Sequence, residues 1–243
     1  MDRLLFTAVS GASRSLNQQQ IHANNLSNVN TQGFRSDLDN AVAKQIAGEG
    51  YASRYLAQPT QGGVDMSPGA VRETGRELDI AIKGEGLIAL RSGNREVYTR
   101  NGQINVNADG ELSINGLPLE GDNGPIVLPP FASLSISEDG VITIVPEDAD
   151  IAAPLDVDRI KLVNIPAEAL SKNDAGFLIT NATENPRDEE VTVAARHLES
   201  SNVSAISEMV SSIALGRQFE AQIKMMKAAE DLANAGNRLL RVS

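Results

Sequence analysis

Apolar side chains recur at intervals of three or four residues, or of two such steps, along the C-terminal stretch, at Val203, Ile206, Val210, Ile213, Phe219, Ile223, Met226, Ala233 and Leu240. No proline interrupts the run, and Ser201, Asn202 or Ser204 can cap its start, so the spacing predicts a long amphipathic helix over 200–243. Its stripe is narrow, nearer a coiled-coil seam than the broad face of a globular helix, and such a helix requires a partner. A matching seam lies at the other end of the chain. Leu5, Val9, Ala12, Leu16, Gln19, Ala23 and Leu26 alternate spacings of four and three, a heptad pattern with one polar member. Gly11 and the run Asn17-Gln18-Gln19-Gln20 weaken this segment alone, so association is expected to order it. An ordinary amphipathic helix on a globular core is the competing reading.

Past the first helix the pattern becomes irregular. Asn24, Asn25, Asn28 and Asn30 fall within seven positions, followed by Gly33 and Phe34. Asparagine side chains satisfy backbone groups at helix ends and turns, and glycine frees φ, so the stretch reads as a hydrogen-bonded corner held down by Phe34. Residues 36–70 show no steady period and are punctuated by glycine and proline, which predicts extended or loop structure with short strands. From Thr74 the period becomes two. Leu78–Ile82, Leu87–Leu90, Val97–Thr99, Ile104–Val106, Glu111–Ile114, Leu117–Leu119, Ile126–Leu128, Leu134–Ile136, Val141–Val145, Arg159–Val163 and Phe177–Ile179 read as strands, with turn signals such as Asn115-Gly116 between them.

The expected class is therefore α+β: terminal helices packed as a coiled-coil-like pair around an inserted all-β domain. Residues 1–30 with 200–243 form the helical part, 31–73 with 183–199 an irregular or extended connection, and 74–182 the β-domain. Charge follows the same division. The formal net charge is −11, yet residues 1–28 and 200–243 each carry +1, so the middle holds −13. An acidic middle and near-neutral ends argue against nucleic acid or anionic lipid as partners. No run approaches the roughly 20 apolar residues of a membrane span, and Asp2 with a short apolar stretch argues against a cleaved leader.

Candidate chemistry is sparse. There is no cysteine, which removes disulfides and thiolate chemistry. His22 and His197 both sit near the helical ends, poor placement for a triad or metal site. Asn105-x-Asn107-x-Asp109-Gly110 opens like a calcium loop but has Gly116 at the twelfth position, so a hairpin turn is expected. Gly84-x-Gly86 lacks the helix and third glycine of a nucleotide fingerprint. No catalytic residue, cofactor or metal is expected, and the one enzymatic alternative is a secreted β-domain on a helical stalk.

Four separated motifs do carry a resemblance. The Asn-rich corner, Thr74-Gly75 with Leu78-Asp79-Ile80-Ala81-Ile82-Lys83-Gly84-Glu85-Gly86, Tyr98-Thr99-Arg100-Asn101-Gly102, and Leu198-Glu199-Ser200-Ser201-Asn202-Val203 with Arg217-Gln218-Phe219-Glu220-Ala221 resemble, in that order, the signatures of bacterial flagellar rod and hook proteins. Leu87-Ile88 stands where that family often has two aromatics. Met1-Asp2 and the short segment from Phe34 to Asp79 are more similar to a proximal-rod than a distal-rod member, with distal rod or another axial protein as the alternative. The resemblance implies a structural subunit whose terminal helices form an inner tube, with the β-domain outward. It implies as partners other rod subunits, further copies of itself and the flagellar export apparatus, and a place in the basal body where the rod crosses the periplasm. It also implies assembly contacts through Leu5, Val9, Ala12, Leu16, Leu26, Val210, Ile213, Phe219, Ile223, Met226 and Leu240, with Asn24, Asn25, Asn28, Asn30, Gly33, Phe34 and Asn202 as the structural motif.

Overall fold

The computed structural model describes residues 2–45, 55–59, 62–147, 153–182 and 185–242. Much of the acidic stretch between Pro146 and Pro154 lies outside the described residues, as does the side chain of Leu240. The chain forms two compact units: Met1–Ser27, Asp37–Gly62 and Ser204–Ser243 in one, Asn28–Ser36 and Gly63–Val203 in the other.

In the first unit, α1 (Asp2–Ser27) and α2 (Ala205–Val242) pack together. At 1.5 Å rise per residue they run about 39 and 57 Å. Gly11 does not break α1. The helices are antiparallel, since His22 late in α1 meets Glu208 early in α2, while Gly11 earlier in α1 meets Gln222 later in α2. The strands Ala41–Gln45 and Tyr55–Pro59 form an antiparallel hairpin in this unit.

The second unit is all-β. Its five-stranded antiparallel sheet has the order Leu162–Val163, Leu87–Ser92, Arg95–Thr99, Leu178–Thr180, Leu170–Lys172. Successive side chains leave a strand on opposite faces, and here both faces are covered. Ile88, Leu90, Val97 and Leu162 enter the larger core, whereas Leu87, Ala89, Tyr98 and Val163 enter a second one. That double burial explains why Leu87–Leu90 is a continuous apolar run. The smaller Leu87 and Ile88, in place of aromatics, are both completely buried. A second sheet pairs Phe131–Ile136, Val141–Pro146 and Leu155–Arg159 and supplies Leu134, Ile136, Ile142 and Ile144 to the larger core. The segment resembling a calcium loop is a turn, in which the Asn107 side-chain oxygen accepts from the amides of Asp109 and Glu111.

Two strands after Leu178–Thr180 complete the unit. Thr192–Ala195 pairs antiparallel with Ile80–Lys83, and His197–Glu199 pairs with Val71–Glu73. Sequence patterning read both segments only as part of an extended return. Thr192–Ala195 is too short for its alternation to stand out, but it places Val193 completely inside the larger core.

Candidate assembly interface

The contact between α1 and α2 follows a heptad, and small residues fill it. On α1 the less exposed positions are Leu5, Ala8, Ala12, Ser15, Gln19, His22 and Leu26, alternating steps of three and four. The expected seam shares Leu5, Ala12, Gln19 and Leu26 with this set. At the other three places the pair turns a different face inward: Val9, Leu16 and Ala23 are exposed, and Ala8, Ser15 and His22 take the inward positions. On α2 the inward series is Glu208, Ser212, Leu215, Phe219, Gln222, Met226, Ala229 and Ala233. Phe219 and Met226 belong to it, half-buried, whereas Val210, Ile213 and Ile223 point to solvent. Hydropathy selects the largest side chains, but close approach of two helices selects alanine, serine and glycine at the contact. The physical consequence is a helix pair that leaves many of its large apolar groups outside. Ile206, Met209, Val210 and Ile213 lie at i, i+3, i+4 and i+7 on one exposed face of α2, with Ile206 75%, Val210 62% and Ile213 59% accessible. Phe6, Val9 and Leu16 are exposed on α1.

Polar contacts tie the same unit at defined points. The His22 ring Nδ1 lies 2.5 Å from a Glu208 carboxylate oxygen. Glu208 sits in the first turn of α2, where a carboxylate complements the helix dipole. Arg14 and Gln18 both donate to Asp39, at 3.0 and 2.7 Å. Asn25 is buried, and its amide exchanges two hydrogen bonds with the Asp37 backbone, accepting from the N–H at 2.8 Å and donating to the carbonyl at 3.1 Å.

Of the remaining motif residues, all but Asn24 belong to the β unit. Asn28 accepts from the Thr31 hydroxyl at 3.1 Å, while Asn24 and Asn30 are exposed. Gly33 has φ +66° and donates its N–H to the Glu199 carbonyl at 2.8 Å. A Cβ there would stand 2.2 Å from the Asn101 backbone nitrogen, so only glycine fits. Phe34 is half-buried under the Lys172 ammonium, 3.8 Å from its ring centre. Asn202 does not cap α2, whose first intrahelical bond runs from Glu208 N–H to the Ser204 carbonyl. Its side chain instead accepts from the Ser36 N–H at 2.8 Å and donates to the carbonyls of Asp65 and Ser67.

At the centre of these contacts is a buried charge cluster that patterning did not single out. Glu199 is completely buried and accepts from Arg35 at 2.6 Å, from Arg100 at 3.0 Å and from the Gly69 amide at 2.8 Å. Arg100 also donates to the carbonyls of Gly86 and Gly84, at 2.9 and 2.8 Å. Burial pulls the Arg100 guanidinium below its ordinary pKa, opposed by Glu199 and reinforced by the neighbouring Arg35 charge. The available signal was a charged residue inside each of three motifs: Phe34-Arg35, Thr99-Arg100 and Leu198-Glu199. The His197 ring makes a local contact, its Nδ1 lying 2.8 Å from the Ala195 carbonyl. No helix among the described residues is long and apolar enough to cross a membrane.

Paired terminal helices and an all-β unit encoded between them are the features to set against known proteins. Three family models match in order: "Flagella basal body rod protein" over 5–35, "Flagellar hook protein FlgE/F/G D1 domain" over 81–144 and "Flagellar basal body rod FlgEFG protein C-terminal" over 194–239. The chain is 38% identical to the flagellar basal-body rod protein FlgF of Escherichia coli and 35% identical to that of Salmonella typhimurium, each over the full length of both chains. It is 27% identical to the flagellar basal-body rod protein FlgG of Bacillus subtilis, across 96% of this chain and 97% of that one. The chain belongs to the flagellar basal-body rod protein family, and within it is FlgF-like.

Proposed function

We propose that this chain, a structural subunit of the proximal flagellar rod, polymerises through its terminal helices and transmits torque through those contacts. The observation that carries the proposal is the exposed stripe Ile206, Met209, Val210 and Ile213. Burying a large aliphatic side chain contributes on the order of 1.5–3 kcal/mol, so a subunit that leaves this face in water gains by covering it with another subunit. Val9, Leu16 and Ile223 add to the outward surface, and Leu5, Ala12, Leu26, Phe219 and Met226 hold the pair from inside. Heterologous contacts propagate into a helical filament when their rotation does not close a ring, and that open geometry is the one this reading requires.

The partners in this reading are other rod subunits and further copies of the chain. Delivery in this reading is by the flagellar export apparatus, and the finished rod crosses the periplasm without entering a bilayer. The β unit faces outward, carrying the acidic middle of the chain, and the role is mechanical rather than enzymatic. The FlgF type is favoured over the FlgG type by the higher identity to the Escherichia coli FlgF than to the Bacillus subtilis FlgG, 38% against 27%. Ile213→Asp tests the interface. The variant should keep wild-type helix content and the wild-type urea midpoint while abolishing rod assembly and swimming. Normal swimming with Ile213→Asp and Val210→Asp combined would refute it.

A further inference from the structure

Over Ala8–Ser15 the face that α1 turns to α2 carries only small side chains, so no large knob fixes the alignment along that stretch. Ala8, Ala12 and Ser15 offer no protrusion to lock α1 against α2, and alanine-rich faces pack about equally well when displaced by one turn. Within that stretch, Gly11 interrupts the uniformity. Gln222 is only 8% exposed, and its amide lies over Gly11, the Nε2 atom 2.7 Å from where a Cβ on that residue would stand. The missing side chain is a notch in α1, and the amide occupies it. The Gln222 Oε1 atom is buried without a donor among the described residues. A buried acceptor left unmet opposes stability, which is the mark of a polar group kept for specificity, as with a single buried polar residue that sets coiled-coil register.

We propose that Gly11 and Gln222 form the register key of the terminal helix pair, a positioning device that admits one longitudinal alignment. Displacing α2 by one turn in either direction drives the amide against Cβ-bearing positions and leaves the notch empty. The aligned pair then presents Val9 and Leu16 on α1 and the Ile206–Ile213 stripe on α2 in one fixed stagger. The key acts within one subunit and stands whether or not those faces meet another copy.

The chain has no cysteine, so engineered pairs report alignment cleanly. The native pair is His22→Cys with Glu208→Cys, and the displaced pairs join His22→Cys to Ser212→Cys or to Ser204→Cys. In the full-length chain under mild oxidation, the native cross-link should exceed either displaced one at least tenfold. Adding Gly11→Ala or Gln222→Ala should lower that ratio at least threefold. Gly11→Ala separates the key from simple unfolding, because alanine strengthens a helix while evicting the amide, so helix content should hold or rise as alignment is lost. A starting ratio below tenfold, or a fall of less than threefold with either substitution, overturns the proposal.

Discussion

Glu199 shows how one side chain organises distant sequence. Two guanidinium groups share its carboxylate, and all three side chains are withdrawn from water. Removing the shared carboxylate strands two positive charges, whereas removing Arg35 leaves Arg100 and Glu199 as a neutral pair. Breaking a buried pair costs about 3–5 kcal/mol. Glu199→Gln should therefore lower unfolding free energy by about that amount in urea titrations, and Arg35→Met by clearly less; the reverse order would contradict the cluster as described. Tyr98 makes a separate residue-level prediction. Its hydroxyl donates to Glu96 at 3.0 Å and accepts from Asn185 at 2.8 Å. Burial pushes its pKa up to about 12, with Glu96 adding to the rise and the Asn185 hydrogen bond opposing it. A tyrosine raised on folding from about 10 favours the protonated native state, so its contribution is complete below pH 10. It disappears as pH climbs from about 10 to 12, a loss of about 2 kcal/mol. Urea midpoints measured across that window should fall, and Tyr98→Phe should flatten the fall.

At the scale of elements, the helix pair separates two properties that a hydrophobic pattern merges. The period was legible: a heptad runs through Leu5, Ala12, Gln19 and Leu26 and through Phe219, Met226 and Ala233. The face was half legible, because Val9 and Leu16 are the more apolar members yet Ala8 and Ser15 lie inside. Close-packed helices exclude bulk at the contact, and the excluded bulk becomes surface. Ala12→Leu should thus loosen the pair by about 1–3 kcal/mol through overpacking, seen as earlier melting of the helical signal. Val9→Ala, on the exposed side, should leave that melting within about 0.5 kcal/mol of wild type. If Ala12→Leu stabilised the pair, the small-residue contact would be misassigned.

The whole molecule is assembled from discontinuous pieces. The segment Asn28–Ser36 follows α1 in the chain but belongs to the β unit, where Gly33, Phe34 and Arg35 reach Glu199, Lys172 and Asn202. A fragment of 28–203 should accordingly hold its β-sheet signal with a higher urea midpoint than a fragment of 37–203, which lacks Gly33 and Arg35. Equal midpoints would mean that the corner contributes nothing to the unit. The Asn-rich corner was readable as a helix end followed by hydrogen-bonded turns because asparagine and glycine have strong local preferences. Its long-range partners were not, since nothing local to Phe34-Arg35 specifies a carboxylate 164 positions away.

Local chemistry accounts for what could be read without coordinates: two helices from their period, a meander of strands from alternation and turn residues, charge withdrawn from the ends, and a family resemblance from ordered motifs. Each depends on neighbours a few residues apart. The tertiary structure alone decided which helix positions face inward, that one carboxylate joins three motifs, and that Thr192–Glu199 closes the β unit by pairing with Val71–Glu73 and Ile80–Lys83. Those outcomes depend on packing space and burial between segments far apart in sequence. A side chain's hydropathy states its preference for being covered but not which surface covers it.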